Sequence, residues 1–247
     1  MDNTPEPTEP VAEFARRAER LALGRAEHRI PSWLRPGDPE NRIPVLAALI
    51  VAIALQLAIP KSYTVVPRWP LIALEILLVV VLVGLNPLRL SRRTTFGRWA
   101  SYVLLAAIMV DNTLSAFVLD VRILSGEVSN KAAVLLGSGG AIYVTNVIVF
   151  GIWYWELDRG GPFARREGAR PYPDFMFPQM TERELAPPNW RPEFIDYLYV
   201  SFTNVVAFSP TDTMPMARWA KAMMTVQSIV SFTTLALVIA RAVNVLG

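Results

Sequence analysis

The chain contains no cysteine and a single histidine, His28, in 247 residues. The first absence excludes disulfide frameworks, thiolate metal sites, iron–sulfur ligation and cysteine nucleophiles together. The second removes HExxH and every multi-histidine metal site. No metal site and no cofactor is expected, and two common catalytic side chains are missing or nearly so. Charge is also scarce. Charged residues make up 18% and apolar residues 53%, with a mean hydropathy of +0.33. Soluble domains average about 25% charged and about 45–50% apolar, so both values point to a membrane protein. The first 42 residues have no early apolar core, so no cleavable signal peptide is expected.

What the chain does have is a series of apolar runs: Ile43–Pro60, Pro70–Pro87, Trp99–Leu119, Ala132–Trp155, Glu193–Ser209 and Met216–Leu246. A helix needs about 20 residues to cross about 30 Å of hydrocarbon. The pattern predicts an all-α, polytopic integral membrane protein with six membrane segments, whose first partner is the lipid bilayer. Glu193–Ser209 is short and carries Asp196 near its start, so it either spans or re-enters. Four regions follow. Residues 1–42 hold a short amphipathic helix, with Val11, Phe14, Ala15, Ala18, Leu21 and Ala22 at 3–4 spacing and Arg16, Arg17 and Arg20 between them. Residues 43–155 form a four-helix transmembrane region. Residues 156–192, rich in proline but also in Phe163, Tyr172, Phe175, Met176, Phe177 and Met180, are expected to cap the inner helix ends. Residues 193–247 form a two-segment C-terminal module.

Lysine and arginine give the orientation. Seven arginines precede Ile43, Arg89, Arg92, Arg93 and Arg98 fill the second loop, and six more follow Trp155 before Pro192. The alternate loops hold Lys61 and Arg68, Arg122 and Lys131, and Arg218 and Lys221. With Arg241 inside, 18 fall inside and 6 outside, which makes both termini cytoplasmic. Tyr63 and Trp69 then mark the outer interface, and Trp99, Tyr102, Trp153, Tyr154 and Trp155 the inner one. The basic charge is used for topology. No clustered cationic face with stacking aromatics remains for nucleic acid.

Ionisable residues inside a span are functional candidates by default. Asp111 lies near the middle of Trp99–Leu119, followed by Asn112, and Asn146 with Tyr143 is expected at a similar depth on the next span. This pairing reads either as a proton or cation site or as an interhelical hydrogen bond. Glu75 is expected at the solvated outer interface, and Gln56 near the outer end of the first span is uninformative. Gly137, Ser138, Gly140 and Ala141 give a small-residue packing face. Gln227, Ser231 and Thr234 line one face of the last helix, suited to a wet path or to interhelical hydrogen bonding.

The string Tyr199 to Pro215 is the most specific signal. Ser201-Phe202-Thr203 resembles the end of a potassium-channel pore helix, and Thr211-Asp212-Thr213-Met214-Pro215 resembles a filter exit. Together with the final helix, about fifty residues resemble the potassium-channel pore module. The whole chain, including Trp153 to Asp158 and Phe177-Pro178-Gln179-Met180, resembles an uncharacterised bacterial multi-pass membrane family with such a tail, which implies a bacterial inner membrane. Ala207, Phe208, Ser209, Pro210, Thr211 and Asp212 occupy the filter positions. Glycines are absent there, and Pro210 fixes its own φ and pushes Ser209 extended, so a standard potassium filter is not expected. If Glu193–Ser209 spans, Asp212 or Thr213 caps the last helix, with Pro215 in its first turn.

These readings predict a channel- or transporter-like protein for a small ion or solute, with a monovalent cation as the candidate cargo. Its path is lined by Thr203, Asn204, Ser209, Thr211 and Asp212, with a second polar centre at Asp111, Asn112, Tyr143 and Asn146. The resemblance implies a homo-oligomer, a tetramer if channel-like. The alternative is a non-transporting membrane scaffold or accessory subunit. No enzyme activity is expected, since no histidine lies in a span and no two aspartates are expected at matching depth.

Overall fold

Long leucine-, valine-, isoleucine- and alanine-rich runs satisfy their own backbone groups best as helices, above all where no water competes. The structure is a computed structural model that describes residues 30–64, 68–85, 94–128, 131–182, 184–206 and 212–246; the amphipathic helix expected between Val11 and Ala22 lies outside the described residues. Its elements are α1 (Ile43–Ala58), α2 (Arg68–Leu85), α3 (Thr95–Ser125), α4 (Ala132–Leu157), α5 (Pro162–Arg166), β1 (Phe175–Met176), α6 (Pro178–Thr181), α7 (Phe194–Val206), β2 (Met214–Pro215) and α8 (Arg218–Leu246). The fold is all-α apart from β1, which pairs antiparallel with β2. Among the described residues three helices, α3, α4 and α8, are long and apolar enough to cross a membrane, and α1 and α2 are shorter apolar helices. Local chemistry sets the ends of α3: the Thr94 hydroxyl accepts from Gly97 N–H at 3.0 Å, and Gly126 closes the helix at φ 78°.

α4 is the axis of the fold. Val147, Ile148, Val149, Phe150, Gly151 and Ile152 are buried in succession, as in a helix enclosed on every side. α1, α3, α7 and α8 pack around it, and α2 lies outside, on α1 and α3. Two glycines allow the closest approaches. A Cβ on Gly139 would sit 2.8 Å from the Val238 methyls of α8, and one on Gly151 would sit 3.1 Å from the Leu198 Cα of α7. Gly137 and Gly140, expected on the packing face, instead meet open space. The period of α4 turns them outward and turns Gly139 in.

One end of the bundle carries a folded cap. The Asp158 carboxylate, just past α4, accepts from Asp174 N–H (2.9 Å), Phe175 N–H (3.3 Å) and the Tyr197 hydroxyl (2.6 Å). Asp174 in turn accepts from Arg159 N–H (2.7 Å) and the Trp219 indole (3.1 Å). Phe175 packs among Tyr154, Tyr197 and Trp219 with ring centroids 5.1–6.2 Å apart. Arg165 donates to the backbone carbonyls of Trp155 (2.5 Å) and Asp158 (3.0 Å) and pairs with Glu40 at 3.1 Å. Burial pulls the Arg165 pKa down, but Glu40, with Tyr197 and Asp158, outweighs it and holds the guanidinium above the usual arginine range. Arg159, Arg191 and Arg166 donate to the carbonyls of Trp33, Pro36 and Gly37, strapping the segment before α1 across the cap. Tyr63, Tyr154 and Trp155 are buried core residues, whereas Trp69 and Trp99 are exposed. Three expected belt positions therefore serve packing.

The 194–215 segment differs from a single crossing. α7 starts beside the cap, where Tyr197 meets Asp158, and β2 lies back on the cap, paired with β1. Both ends sit at the same end of the bundle. α8 then runs from the cap to the far end, where Val238 and Ala242 pack with Ile59, Tyr63, Leu119 and Leu135. Residues 214 and 215 are strand and α8 begins at Arg218, so Pro215 is not in its first turn and neither Asp212 nor Thr213 caps it. The β-ladder holds these residues extended.

Candidate functional site

Two polar centres lie inside the helix bundle. The first joins α4, α7 and α8. Gln227 of α8 is fully buried, and its amide nitrogen donates to the Ser201 hydroxyl (2.6 Å) and the Ser201 carbonyl (3.2 Å). Its amide oxygen accepts from the Tyr154 hydroxyl (2.6 Å) and from Asn204 Nδ2 (2.9 Å). The Ser201 hydroxyl itself donates to the Val147 carbonyl (2.7 Å), and Asn204 also donates to the Met224 carbonyl (3.0 Å). Each polar atom of the glutamine has a partner. An amide placed between two donors and two acceptors is held in one orientation, and that orientation fixes the α7–α8 register.

The second centre joins α1, α2 and α3. Along α1 the buried positions Val45, Leu49, Ala52 and Ile53 lead at 3–4 spacing to Gln56. On α2, Ile72 and Leu82 flank Glu75 on the same stripe, and on α3 Leu104 and Ile108 lead to Asp111, Asn112 and Ser115. Glu75 is 0% exposed and Asp111 6%, and the Asp111 carboxylate and the Gln56 side chain both lie within electrostatic reach of Glu75. The Gln56 amide lies against the Glu75 carboxyl without a hydrogen bond of ordinary geometry, and neither Asn112 Oδ1 nor Ser115 Oγ has a hydrogen-bond partner among the described residues. Glu75 is therefore not at a solvated interface. The 3–4 spacing that buries Ile72 and Leu82 carries it inward, and Gln56 comes with it. Two carboxyl groups thus share one buried region, an aspartate with a glutamate, a pairing that the comparison of aspartates alone did not consider.

Toward the cap, a cavity of about 60 Å³ is lined by Arg42, Leu49, Leu82, Arg98, Leu104 and Glu156, among others. That space holds about two water molecules. Leu49 on α1, Leu82 on α2 and Leu104 and Ile108 on α3 lie in sequence between it and the carboxyl pair, forming an apolar layer.

The remaining candidates separate. Asn146 is buried, but its amide makes no hydrogen bond to a described residue, so the hydrogen bond to Asp111 that was one of the two readings of this pairing is not formed. Tyr143 is half-buried. Thr203 donates back to the Tyr199 (2.8 Å) and Val200 (3.1 Å) carbonyls of its own helix. Ser231 is buried with its hydroxyl unpartnered among the described residues, while Thr234, one turn on, donates to Asp120 at 3.1 Å. Asp212 is exposed, and Ala207, Phe208, Ser209, Pro210 and Thr211 lie outside the described residues. Sequence reasoning placed Tyr154 in the interfacial belt and Ser201 at the end of a pore helix rather than in one network with Gln227, and it passed over Asp120. The joint role of the first two is legible only once α7 is known to lie against α4. Among the described residues no group of three or more acidic or histidine side chains is placed to hold a metal ion. No protein-family model, curated protein or solved structure matches the chain.

Proposed function

We propose that the chain is a channel- or transporter-like membrane protein that moves a proton or a small monovalent cation, with Glu75 and Asp111 as its ion-handling pair and Gln56 beside them. The observation that carries this reading is the burial of two carboxyl groups together with polar atoms that have no hydrogen-bond partner among the described residues. An ionised carboxylate inside a membrane bundle costs several kcal/mol unless it is paired. A proton or a cation on the pair removes that cost, and exchanging it between the two sides of the bilayer is transport.

In this reading α1, α2, α3, α4 and α8 cross the bilayer, and α7 is a half-helix that enters and leaves on the cytoplasmic side. The re-entrant arrangement improves the charge asymmetry. It moves Arg218 and Lys221 inside and Arg241 outside, so that Lys61, Arg68, Arg122, Lys131 and Arg241 are the five outside among 24 lysines and arginines. The half-helix also suits the pore-module resemblance, because its C-terminal end, partially negative, is turned into the bundle. A homotetramer would gather four Asp212 side chains at the cytoplasmic end.

The test is flux into liposomes of the purified full chain, read with proton-, sodium- and potassium-sensitive dyes. Wild-type flux that Glu75→Gln and Asp111→Asn abolish supports the reading. A folded wild-type protein that moves none of these ions sinks it. One observation favours the second reading, a non-transporting scaffold: the satisfied Gln227 network uses interior polar residues only to fasten helices.

A further inference from the structure

We propose that the cleft between the cap-end turns of α3 and α8 binds the headgroup of an anionic phospholipid. This inference needs α3, α4 and α8 to cross the bilayer, but it does not depend on ion transport. α3 and α8 are tied near the far end by the Asp120–Thr234 hydrogen bond at 3.1 Å. At the cap end they part, and the space between them, about 580 Å³, has Leu157 among the residues at its walls. Arg98 from the first turn of α3 and Arg170 from the cap are its charged lining residues, and both are exposed.

Among the described residues no carboxylate lines this cleft. Glu156, within electrostatic reach of Arg98, lines the neighbouring 60 Å³ cavity instead. The Arg170 guanidinium lies over Gly160, its carbon 3.3 Å from the position a Cβ would take there, and Gly160 is part of the wall. Tyr102 is braced by stacking on Trp153 at 5.8 Å. Trp219 and Met223 of α8 face it across the opening.

The chemistry of these walls selects the ligand. Two guanidinium groups without a carboxylate among the lining residues suit a phosphate. Tyr102, Trp219, Met223 and Leu157 suit the glycerol and upper acyl chain that follow it, and a free phosphate ion gains nothing from them. Basic pockets between transmembrane helices at the cytoplasmic face are where acidic headgroups bind. Exposed Trp99, next to Arg98, sits at the same level, as interfacial tryptophans do.

The experiment is native mass spectrometry of the full chain in neutral detergent, titrated with phosphatidylglycerol, with phosphatidylcholine of equal chain length, or with inorganic phosphate as competitor. Phosphatidylglycerol is expected to bind at least about tenfold more tightly than phosphatidylcholine, and millimolar phosphate should not displace it. Each basic residue near a membrane surface contributes about a fivefold factor, so Arg98→Gln or Arg170→Gln should weaken binding about fivefold, and both together about thirtyfold. Met223→Trp keeps both charges and fills the cleft, and should also lose the lipid. Equal binding of the two lipids, displacement by free phosphate, or full affinity in the double arginine variant overturns the proposal. If the double variant does not fold, retention of lipid by Met223→Trp overturns it instead.

Discussion

The two interior polar centres are built from the same side-chain types and treat them in opposite ways. Around Gln227 each donor meets an acceptor, and the amide ties three helices together. Around Glu75 the side chains are buried as completely, yet Glu75 and Gln56 make no hydrogen bond of ordinary geometry to each other or to another described residue. A satisfied amide is a fastening, since it stabilises one arrangement of helices and gains nothing from a ligand. A buried carboxyl group like that of Glu75 has the reverse property, because its environment is incomplete until something cationic arrives. Burial alone therefore does not separate structural from functional polar residues in a membrane bundle. The state of their hydrogen bonds does.

The contrast is broken most severely in the cap, whose polar groups are also satisfied. Arg165 is buried against Glu40 and the carbonyls of Trp155 and Asp158. Arg165→Met would strand all three, and removing one partner of a buried pair costs about 3–5 kcal/mol. Thermal unfolding of the purified variant in detergent should show a large loss of stability; wild-type stability would mean the strap before α1 is not tied through Arg165.

Gln227→Leu comes next. It removes interhelical hydrogen bonds worth on average about 0.6 and at most about 1.7 kcal/mol each, or about 2–3 kcal/mol together. The loss should be visible in unfolding experiments in bicelles. A rise in ion leak without a loss of stability would instead make Gln227 part of a path. Gly139→Ala is milder. Its new methyl would start 2.8 Å from the Val238 methyls, which can shift, so about 1 kcal/mol is expected from overpacking. The same substitution at Gly137, which faces open space, should be neutral. A cost at Gly137 equal to that at Gly139 would indicate a subunit contact on the outer face of α4.

The helices were legible because apolar runs of this length leave the backbone few alternatives in lipid. The centre at Glu75 was also legible in principle, since Ile72, Glu75 and Leu82 form one stripe by helical spacing alone. Its nearness to the end of an apolar run suggested solvent, and distance from a run's end says nothing about which face a residue occupies. The Gln227 network was only half legible. Its members on α8 were visible as a stripe, but Tyr154 and Ser201 are brought in by the return of α7 and β2 to the cap. That return depends on β1 and β2 pairing across forty residues of chain, which no local pattern encodes. The same missing contact explains why Glu193–Ser209 read as a crossing and why Pro215 was expected in a helix.

Glu75→Gln should have the smallest effect on stability and is the sharpest test of the contrast. The substitution keeps the shape of the side chain and removes a charge that costs free energy to bury, while breaking no hydrogen bond of ordinary geometry to a described residue. Stability should therefore change by less than about 1 kcal/mol, or rise, because replacing an uncompensated interior charge by a neutral group removes an unfavourable term. If the side chain is a fastening like Gln227, the same substitution must instead destabilise by an amount comparable to Gln227→Leu. Unfolding of the two variants measured side by side in the same bicelles separates these outcomes without any knowledge of the ion. An unchanged or raised stability for Glu75→Gln, beside a clear loss for Gln227→Leu, would mean that the carboxyl group is kept at the centre of the bundle for something other than holding it together.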